Sequence, residues 1–155
     1  MNKIEIKNTK GEVIYTYECE GATIKDAVED AVKNGVSLEN TNLYRADLSN
    51  ADLSNANLRG ANLRDADLYG ADLSFAKLET TDFENAILSY ANLFSADLFG
   101  ANLMCANLSN ANLEGANLSN ASLCFANLSG TNFNYVYLQD ANLFGANFEN
   151  NVMLS

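Results

Sequence analysis

Histidine, proline and tryptophan are absent from this 155-residue sequence. Without histidine there is no imidazole to activate a serine or cysteine nucleophile, and none to bind a metal ion. Glycine occurs nine times, but it recurs as a turn residue and forms no phosphate-binding loop. We therefore predict no catalytic, cofactor-binding or metal-binding residues, and we expect the protein not to be an enzyme.

Long hydrophobic runs and a cysteine framework are also missing. No apolar stretch approaches the ~18 residues of a membrane span, and the N-terminus lacks the apolar segment of a signal peptide. The three cysteines have no framework spacing, which suits a reducing compartment with free thiols. We expect a cytoplasmic protein that does not bind membranes.

The sequence does contain a five-residue repeat, which runs without interruption from Val36 to Ser155. Each of the 24 units has an apolar centre, leucine in most units, and a small residue, usually alanine, two positions before it. Asparagine or aspartate lies between these two positions in 18 units, and glycine or asparagine follows the centre by two positions in 13. The pattern repeats one local structure over most of the chain.

A period of five fits neither regular secondary structure. Five residues rotate a helical side chain by roughly 140° from its starting face, and in a strand successive centres alternate between faces. A chain that turns a corner once per unit keeps every centre inside, which predicts an all-β solenoid whose coils bury one another. Bulky residues disfavour φ > 0, so we expect more than one turn type. The bulky corner residues are Phe75, Tyr90, Phe125 and Tyr135.

Tandem units of the form A(D/N)LXX resemble the pentapeptide repeat family, and the resemblance covers residues 36–155. It implies a right-handed quadrilateral β-helix with one unit on each side and four units in each coil. The repeat would then form about six coils with a length of ~29 Å, at ~4.8 Å per coil.

Residues 1–35 precede the repeat and follow other patterns. Two segments that alternate polar and apolar residues flank the turn sequence Asn8–Gly11, which predicts a β-hairpin. Thr23 and Asp26 have the spacing of a helix capping box, and Gly35 lies where a C-terminal glycine cap belongs.

We expect this hairpin and helix to form an N-terminal domain that caps the repeat domain of residues 36–155. An open coil end would expose unpaired strand edges and apolar centres, and natural solenoids cover such ends. The alternative is that residues 1–35 form an independent recognition module.

At the other end the repeat decays into an apolar terminal coil that includes Val152, Met153 and Leu154. Two such ends can bury each other in a two-fold dimer, and pentapeptide repeat proteins often dimerise through their C-terminal ends. We therefore expect a homodimer through the C-terminal coil. The alternative is a frayed end over which Tyr135, Tyr137 and Leu154 fold.

The formal net charge is −11. In the repeats, all four basic residues fall on two faces of the quadrilateral, and the charged residues of the other two faces are all acidic. Nucleic-acid binding requires basic surface, so we expect no direct nucleic-acid binding. Within the repeat, the position that holds aspartate in some units holds asparagine in others, which favours a hydrogen-bonding role for the aspartates over acid–base chemistry. The acidic faces are marked by Asp47, Asp52, Asp67 and Asp72.

Apolar residues at the surface form the candidate partner site. With a coil of four units, Met104, Cys124 and Phe144 stack on one face, with Cys105 and Phe125 beside them. Contiguous apolar surface often marks a partner site; the alternative is that these large side chains only pack against each other. We expect a rigid, acidic scaffold that binds an unknown protein through this face. Resemblance to the quinolone-resistance members of the family implies a second hypothesis, a DNA mimic that binds DNA gyrase.

Overall fold

In the computed structural model, which describes residues 2–151, the chain begins with a two-stranded antiparallel sheet. Strand β1 is Asn2–Lys7 and strand β2 is Val13–Cys19. Helix α1 follows at Ile24–Lys33. These elements lie where the alternating pattern and the capping residues predict them. Within the described residues no helix is long and apolar enough to cross a membrane.

Local hydrogen bonds cap helix α1 at both ends. At its start Asp26 N–H donates to Thr23 Oγ1 (3.3 Å), and Thr23 N–H donates to Asp26 Oδ2 (2.7 Å). Donation from the Thr23 backbone and hydroxyl holds the pKa of Asp26 below its ordinary value. At its end Gly35 has a φ of 69°, and Val36 N–H donates to Ala31 O (2.9 Å), which is the bond of a Schellman motif.

From Leu38 onward the chain pairs with itself at an interval of 20 residues. Parallel β-bridges join residues 20 apart, from Asn42–Asn62 to Asn127–Asn147. The backbone hydrogen bonds of these bridges lie one residue to either side of that interval: Leu98 N–H donates to Asn117 O, 19 residues later (2.8 Å), and Asp67 N–H donates to Ala46 O, 21 residues earlier (2.9 Å). The chain therefore returns to the same side after four five-residue units, which gives a four-sided β-helix.

The unit centres and the small residues before them fill the interior. The central leucines from Leu48 to Leu128, and Phe83 among them, are fully buried, and each contributes roughly 1.5–3 kcal/mol relative to exposure. Threonine replaces alanine at three buried positions without leaving its hydroxyl unpaired: Thr81 Oγ1, for example, donates to Leu58 O (2.8 Å). The repeat therefore alternates one large and one small side chain along the core.

Every described corner has a residue with positive φ in the same narrow range. The residue two positions after the centre has a φ between 52° and 71° in all 23 described units, and 17 of these residues are not glycine. The next unit then donates back to the centre, as Ala51 N–H does to Leu48 O (3.0 Å), which matches a type II turn. The expectation that aromatic corner residues resist φ > 0 is wrong. Phe75, Tyr90, Phe125 and Tyr135 have φ values of 58–61°. At the first three corners hydrogen bonds to both neighbouring coils impose this conformation.

Hairpin and helix both contact the first coil. Ile6 and Val28 are fully buried and belong to the same hydrophobic cluster as the repeat leucines. The hairpin also pairs with the repeat, because Asn42 N–H donates to Lys7 O (2.8 Å). At the opposite end burial declines: Leu138 is 36% exposed, whereas Leu118, one coil earlier, is fully buried.

Candidate functional site

The structure brings the five predicted partner-site residues together on one side of the β-helix. Cys105 N–H donates to Cys124 O (2.9 Å), and Phe125 N–H donates to Phe144 O (2.9 Å). Three successive coils therefore place these residues in one stack, and the stack begins at Met104. We call the set Met104, Cys105, Cys124, Phe125 and Phe144 the apolar patch.

The apolar patch stays exposed although its aromatic residues contact each other. The rings of Phe125 and Phe144 lie edge to face, with centroids 5.5 Å apart and planes at 87°. Even so, Phe125 is 57% exposed, Phe144 is 71% exposed and Met104 is 37% exposed. Packing within the patch therefore leaves most of its aromatic surface in contact with water.

Charge is absent from the patch and present beside it. Segments 102–105, 122–125 and 142–145, which form this part of the face, contain no charged residue. One coil towards the N-terminus, Arg64 Nη1 lies 2.7 Å from Glu84 Oε2 and 3.5 Å from Asp82 Oδ2. The face thus divides into an ion-paired half and an apolar half. Neither Cys105 nor Cys124 is in a disulfide.

The carboxylates of the two acidic faces are held by their own units. Ser49 N–H donates to Asp47 Oδ1 (3.1 Å) and Ser54 N–H donates to Asp52 Oδ1 (3.1 Å), and both serine hydroxyls donate at 2.7 Å. These hydroxyl and backbone donors hold the pKa of Asp47 and of Asp52 below the ordinary value. Such carboxylates shape the local backbone, which supports the predicted hydrogen-bonding role.

The asparagine or aspartate before each apolar centre also links the coils, through side-chain ladders that were not predicted from the sequence. On one face Asn92 Nδ2 donates to Asp72 Oδ1 (3.1 Å), Asn112 Nδ2 to Asn92 Oδ1 (3.2 Å), and Asn132 Nδ2 to Asn112 Oδ1 (3.1 Å). A carboxylate accepts but cannot donate, so aspartate fits only where such a ladder begins. Asp97, which accepts from Asn117 Nδ2 (3.0 Å), begins another.

Two further features were not predicted as contacts. The rings of Tyr69 and Tyr90 pack with centroids 5.5 Å apart on a different face from the apolar patch. The Arg59 guanidinium forms an ion pair with Glu79, which lies 20 residues later. Sequence spacing indicates both contacts: Arg59 and Glu79 are separated by one coil of 20 residues, and Tyr69 and Tyr90 by one coil plus one residue. In residues 2–151 no three metal-ligating side chains form a cluster.

A comparison with protein-family models finds a match to pentapeptide repeats. The model matches in eight copies, over residues 34–68, 66–104, 101–134 and 111–150. A comparison with curated proteins finds no match.

Solved structures of pentapeptide repeat proteins are also similar to this chain. Rfr23 from the cyanobacterium Cyanothece 51142 is 37% identical, with a TM-score of 0.54 over 67% of this chain and 65% of its own. A thylakoid-lumen protein from Arabidopsis thaliana is 33% identical, with a TM-score of 0.49 over 64% of this chain and 63% of its own. QnrB1, a plasmid-mediated fluoroquinolone resistance protein, is 21% identical, with a TM-score of 0.40 over 72% of this chain and 71% of its own. The chain thus spans less than two thirds of the length of the first two proteins.

Proposed function

Because this chain belongs to the pentapeptide repeat family, whose members form right-handed β-helices, we propose that it is a non-enzymatic scaffold that binds a partner protein in the cytoplasm. The scaffold is an acidic rod of about six coils. Residues 1–35 cap its first coil, a role supported by the burial of Ile6 and Val28 in the same cluster as the repeat core. The inter-coil hydrogen bonds and the side-chain ladders make the rod rigid.

The exposed apolar patch carries this proposal. Within residues 2–151 Phe144 is left 71% exposed, and because the rod cannot fold over its own surface, a partner protein is suited to cover this ring. Burying such a ring contributes roughly 1.5–3 kcal/mol, and aromatic residues and methionine are enriched in protein interfaces. The ion-paired residues on the same face then form a polar border at one edge of the interface.

Affinity capture with matched variants tests the proposal. The chain is immobilised and exposed to an extract of its source cells, and the retained proteins are identified by mass spectrometry. The patch variant carries Met104→Ser, Phe125→Ser and Phe144→Ser. The control carries Tyr69→Ser and Tyr90→Ser, which remove a similar aromatic pair from another face. We expect a partner that the wild type and the control retain and the patch variant loses; equal recovery by all three would contradict the proposal.

A supercoiling assay separates this function from the second hypothesis, a DNA mimic that binds DNA gyrase. Duplex DNA carries one charge per ~1.7 Å, so a rod of ~29 Å would need about 17 charges. The repeats carry 13 acids and four bases, and Arg45, Arg59 and Arg64 all form ion pairs with repeat carboxylates. Inhibition of DNA gyrase by the wild type at micromolar concentration would favour the mimic.

We also propose that the rod is a homodimer joined through its C-terminal coil. Leu138 is 36% exposed, although the equivalent leucines one and two coils earlier are fully buried. Phe133 and Phe148 contact each other near this end, with ring centroids 5.7 Å apart, and a second copy would bury them further. Val152, Met153 and Leu154, the residues predicted for the dimer end, lie outside the described residues.

A further inference from the structure

Every unit of the β-helix presents the same backbone groups to the coil before it. Asp67 N–H donates to Ala46 O (2.9 Å), Asp67 O accepts from Leu48 N–H (2.7 Å), and Tyr69 O accepts from Asn50 N–H (2.7 Å). Each unit therefore needs one acceptor and two donors from the preceding coil. The first coil has no preceding coil, so these groups need other partners or water.

Helix α1 packs on the core of the first coil, and it supplies two of these partners with charged side chains. Lys25 Nζ donates to Ser49 O (3.3 Å), and Glu29 Oε1 accepts from Asp52 N–H (2.8 Å). The lysine cation thus pairs with a carbonyl, and the glutamate anion pairs with an amide. A helix offers no free backbone edge along its side, so it cannot complete the remaining pairs.

In the unit at residues 51–55, the carbonyls of Asp52 and Ser54 are left without a partner. Among the hydrogen bonds of residues 2–151, none reaches these two oxygens. One coil later the equivalent carbonyls are both paired: Asp72 O accepts from Leu53 N–H (2.7 Å), and Ser74 O accepts from Asn55 N–H (2.9 Å). The edge at Asp52 and Ser54 thus presents two acceptors at the spacing that an extended strand satisfies.

A groove lies along this edge, between the helix and the first coil. One cavity of about 430 Å³ is lined by Glu29, Val32, Lys33, Asp52 and Ser54. A second cavity, of about 400 Å³, also touches Val32 and Ser54 and continues along residues 35–37 and 55–57. We call the two together the α1 groove. Val32 lines both cavities, so the groove combines an apolar wall with an edge of free carbonyls.

We propose that the α1 groove binds an extended peptide segment of another protein, as a short strand parallel to the first coil. Two backbone N–H groups of the peptide, two residues apart, donate to Asp52 O and Ser54 O. One of its side chains packs against Val32. The complementarity is that of strand addition to a sheet edge, in which main-chain hydrogen bonds supply affinity and pockets supply specificity. This site is separate from the apolar patch, which lies on another face and in later coils.

The chain itself provides the sequence of a suitable probe. Within the β-helix, Leu108 N–H donates to Asn127 O (2.8 Å) and Asn110 N–H donates to Ser129 O (2.9 Å). A blocked, fluorescein-labelled heptapeptide that copies residues 106–112, ANLSNAN, carries the same two donors. Its binding to the full chain is measured by fluorescence anisotropy. The control peptide has the same side chains, with methyl groups on the amide nitrogens that copy Leu108 and Asn110.

We expect the unmethylated peptide to bind and the methylated peptide to bind about tenfold more weakly, because two main-chain hydrogen bonds are lost. Binding that is equal for the two peptides, or absent for both at millimolar concentration, would overturn the proposal. This comparison uses the unmodified protein, so it does not depend on whether a variant folds.

Two matched variants locate the site. Ser54→Trp places a bulky ring in the groove, and Ser129→Trp makes the same change at a serine in the same position of its unit. In both places the serine hydroxyl donates to the side-chain oxygen two residues earlier. We expect Ser54→Trp to abolish peptide binding, and Ser129→Trp and Phe144→Ser to leave it unchanged. Loss of binding in Phe144→Ser alone would assign the peptide to the apolar patch and contradict the groove.

Discussion

The ring of Phe125 lies over the corner at Gly145, where a Cβ atom would come within 2.6 Å of the ring. A similar close contact between corners one coil apart occurs at Gly70, where a Cβ would lie 2.6 Å from Asn50 Oδ1. Since non-glycine residues hold the same φ at 17 corners, backbone conformation alone does not require glycine at these positions. At Gly60, Gly70, Gly130 and Gly145 the corner side chain of the preceding coil occupies the space that a Cβ would need.

Replacing Gly145 by alanine therefore tests steric contact separately from backbone strain. The matched control is Gly100→Ala, since Gly100 has a similar φ of 65° but its nearest neighbour, Thr80 Cγ2, would lie 3.6 Å from the new Cβ. We expect Gly145→Ala to lower the free energy of unfolding by about 1–3 kcal/mol more than Gly100→Ala does. Urea unfolding followed by circular dichroism measures both. Equal losses would show that φ, and not the Phe125 ring, selects glycine.

The direction of the asparagine ladder leads to a second prediction. Asn92 donates to Asp72 and accepts from Asn112, so Asn92→Asp removes a donor and sets two carboxylates against each other. We expect a loss of about 1–3 kcal/mol in the free energy of unfolding at pH 7, with a smaller loss at pH 3. Asp72→Asn is the control, because an amide oxygen still accepts from Asn92 and stability should be unchanged. If the Asn92→Asp variant had the same free energy of unfolding as the wild type, the ladder would be contradicted.

Asp47 gives a prediction about pH. The Ser49 hydroxyl and N–H lower the pKa of the folded carboxyl, so the unfolded chain binds the proton more readily. The resulting stability is complete above the unfolded pKa of about 4 and is lost as pH falls through the folded pKa. Ser49→Ala should therefore flatten the fall in urea midpoint between pH 5 and pH 2.

Ser129→Ala is the control for this measurement, because the Ser129 hydroxyl donates to the neutral amide of Asn127 (2.8 Å). We expect its effect on the urea midpoint to be the same at every pH. If Ser49→Ala and Ser129→Ala have the same pH profile, the carboxylate of Asp47 does not contribute in the proposed way.

The proposed homodimer through the C-terminal coil leads to a prediction about molar mass. Light scattering at micromolar concentration should give twice the 16.8 kDa of one chain. Leu138→Glu places a charge on the partly exposed end of the core and should give a monomer with unchanged circular dichroism. The same substitution at Phe99, which is exposed on the same face two coils earlier, should leave the dimer intact. A wild-type mass of one chain would contradict the dimer.

The sequence predicts the core and the capped helix because both depend on local or periodic patterns. Leucine and alanine at fixed spacing bury themselves in any coil that turns once per unit, and Thr23 and Asp26 close the helix without help from the rest of the chain. The uniform corners were not predictable from propensity, because tertiary hydrogen bonds hold Phe75 and Tyr90 at φ > 0.

Contacts between coils were harder to predict, because they depend on which residues stack. The interchange of aspartate and asparagine indicates a hydrogen-bonding role, but only the stacking of Asn92 on Asp72 gives the ladder its direction. Likewise, nothing in residues 23–35 shows that Glu29 reaches the Asp52 amide. For the apolar patch, the spacing predicted which residues lie together, and the structure adds that the ring of Phe144 stays exposed.

The central claim is that the apolar patch binds protein. Its most direct test is to measure the affinity of a captured partner for two variants, Phe144→Ser and Tyr90→Ser. Each substitution removes one exposed ring from an aromatic pair, on different faces. We expect Phe144→Ser to weaken binding about tenfold, or 1.4 kcal/mol, and Tyr90→Ser to bind as tightly as the wild type. Equal dissociation constants for the wild type and both variants would contradict it.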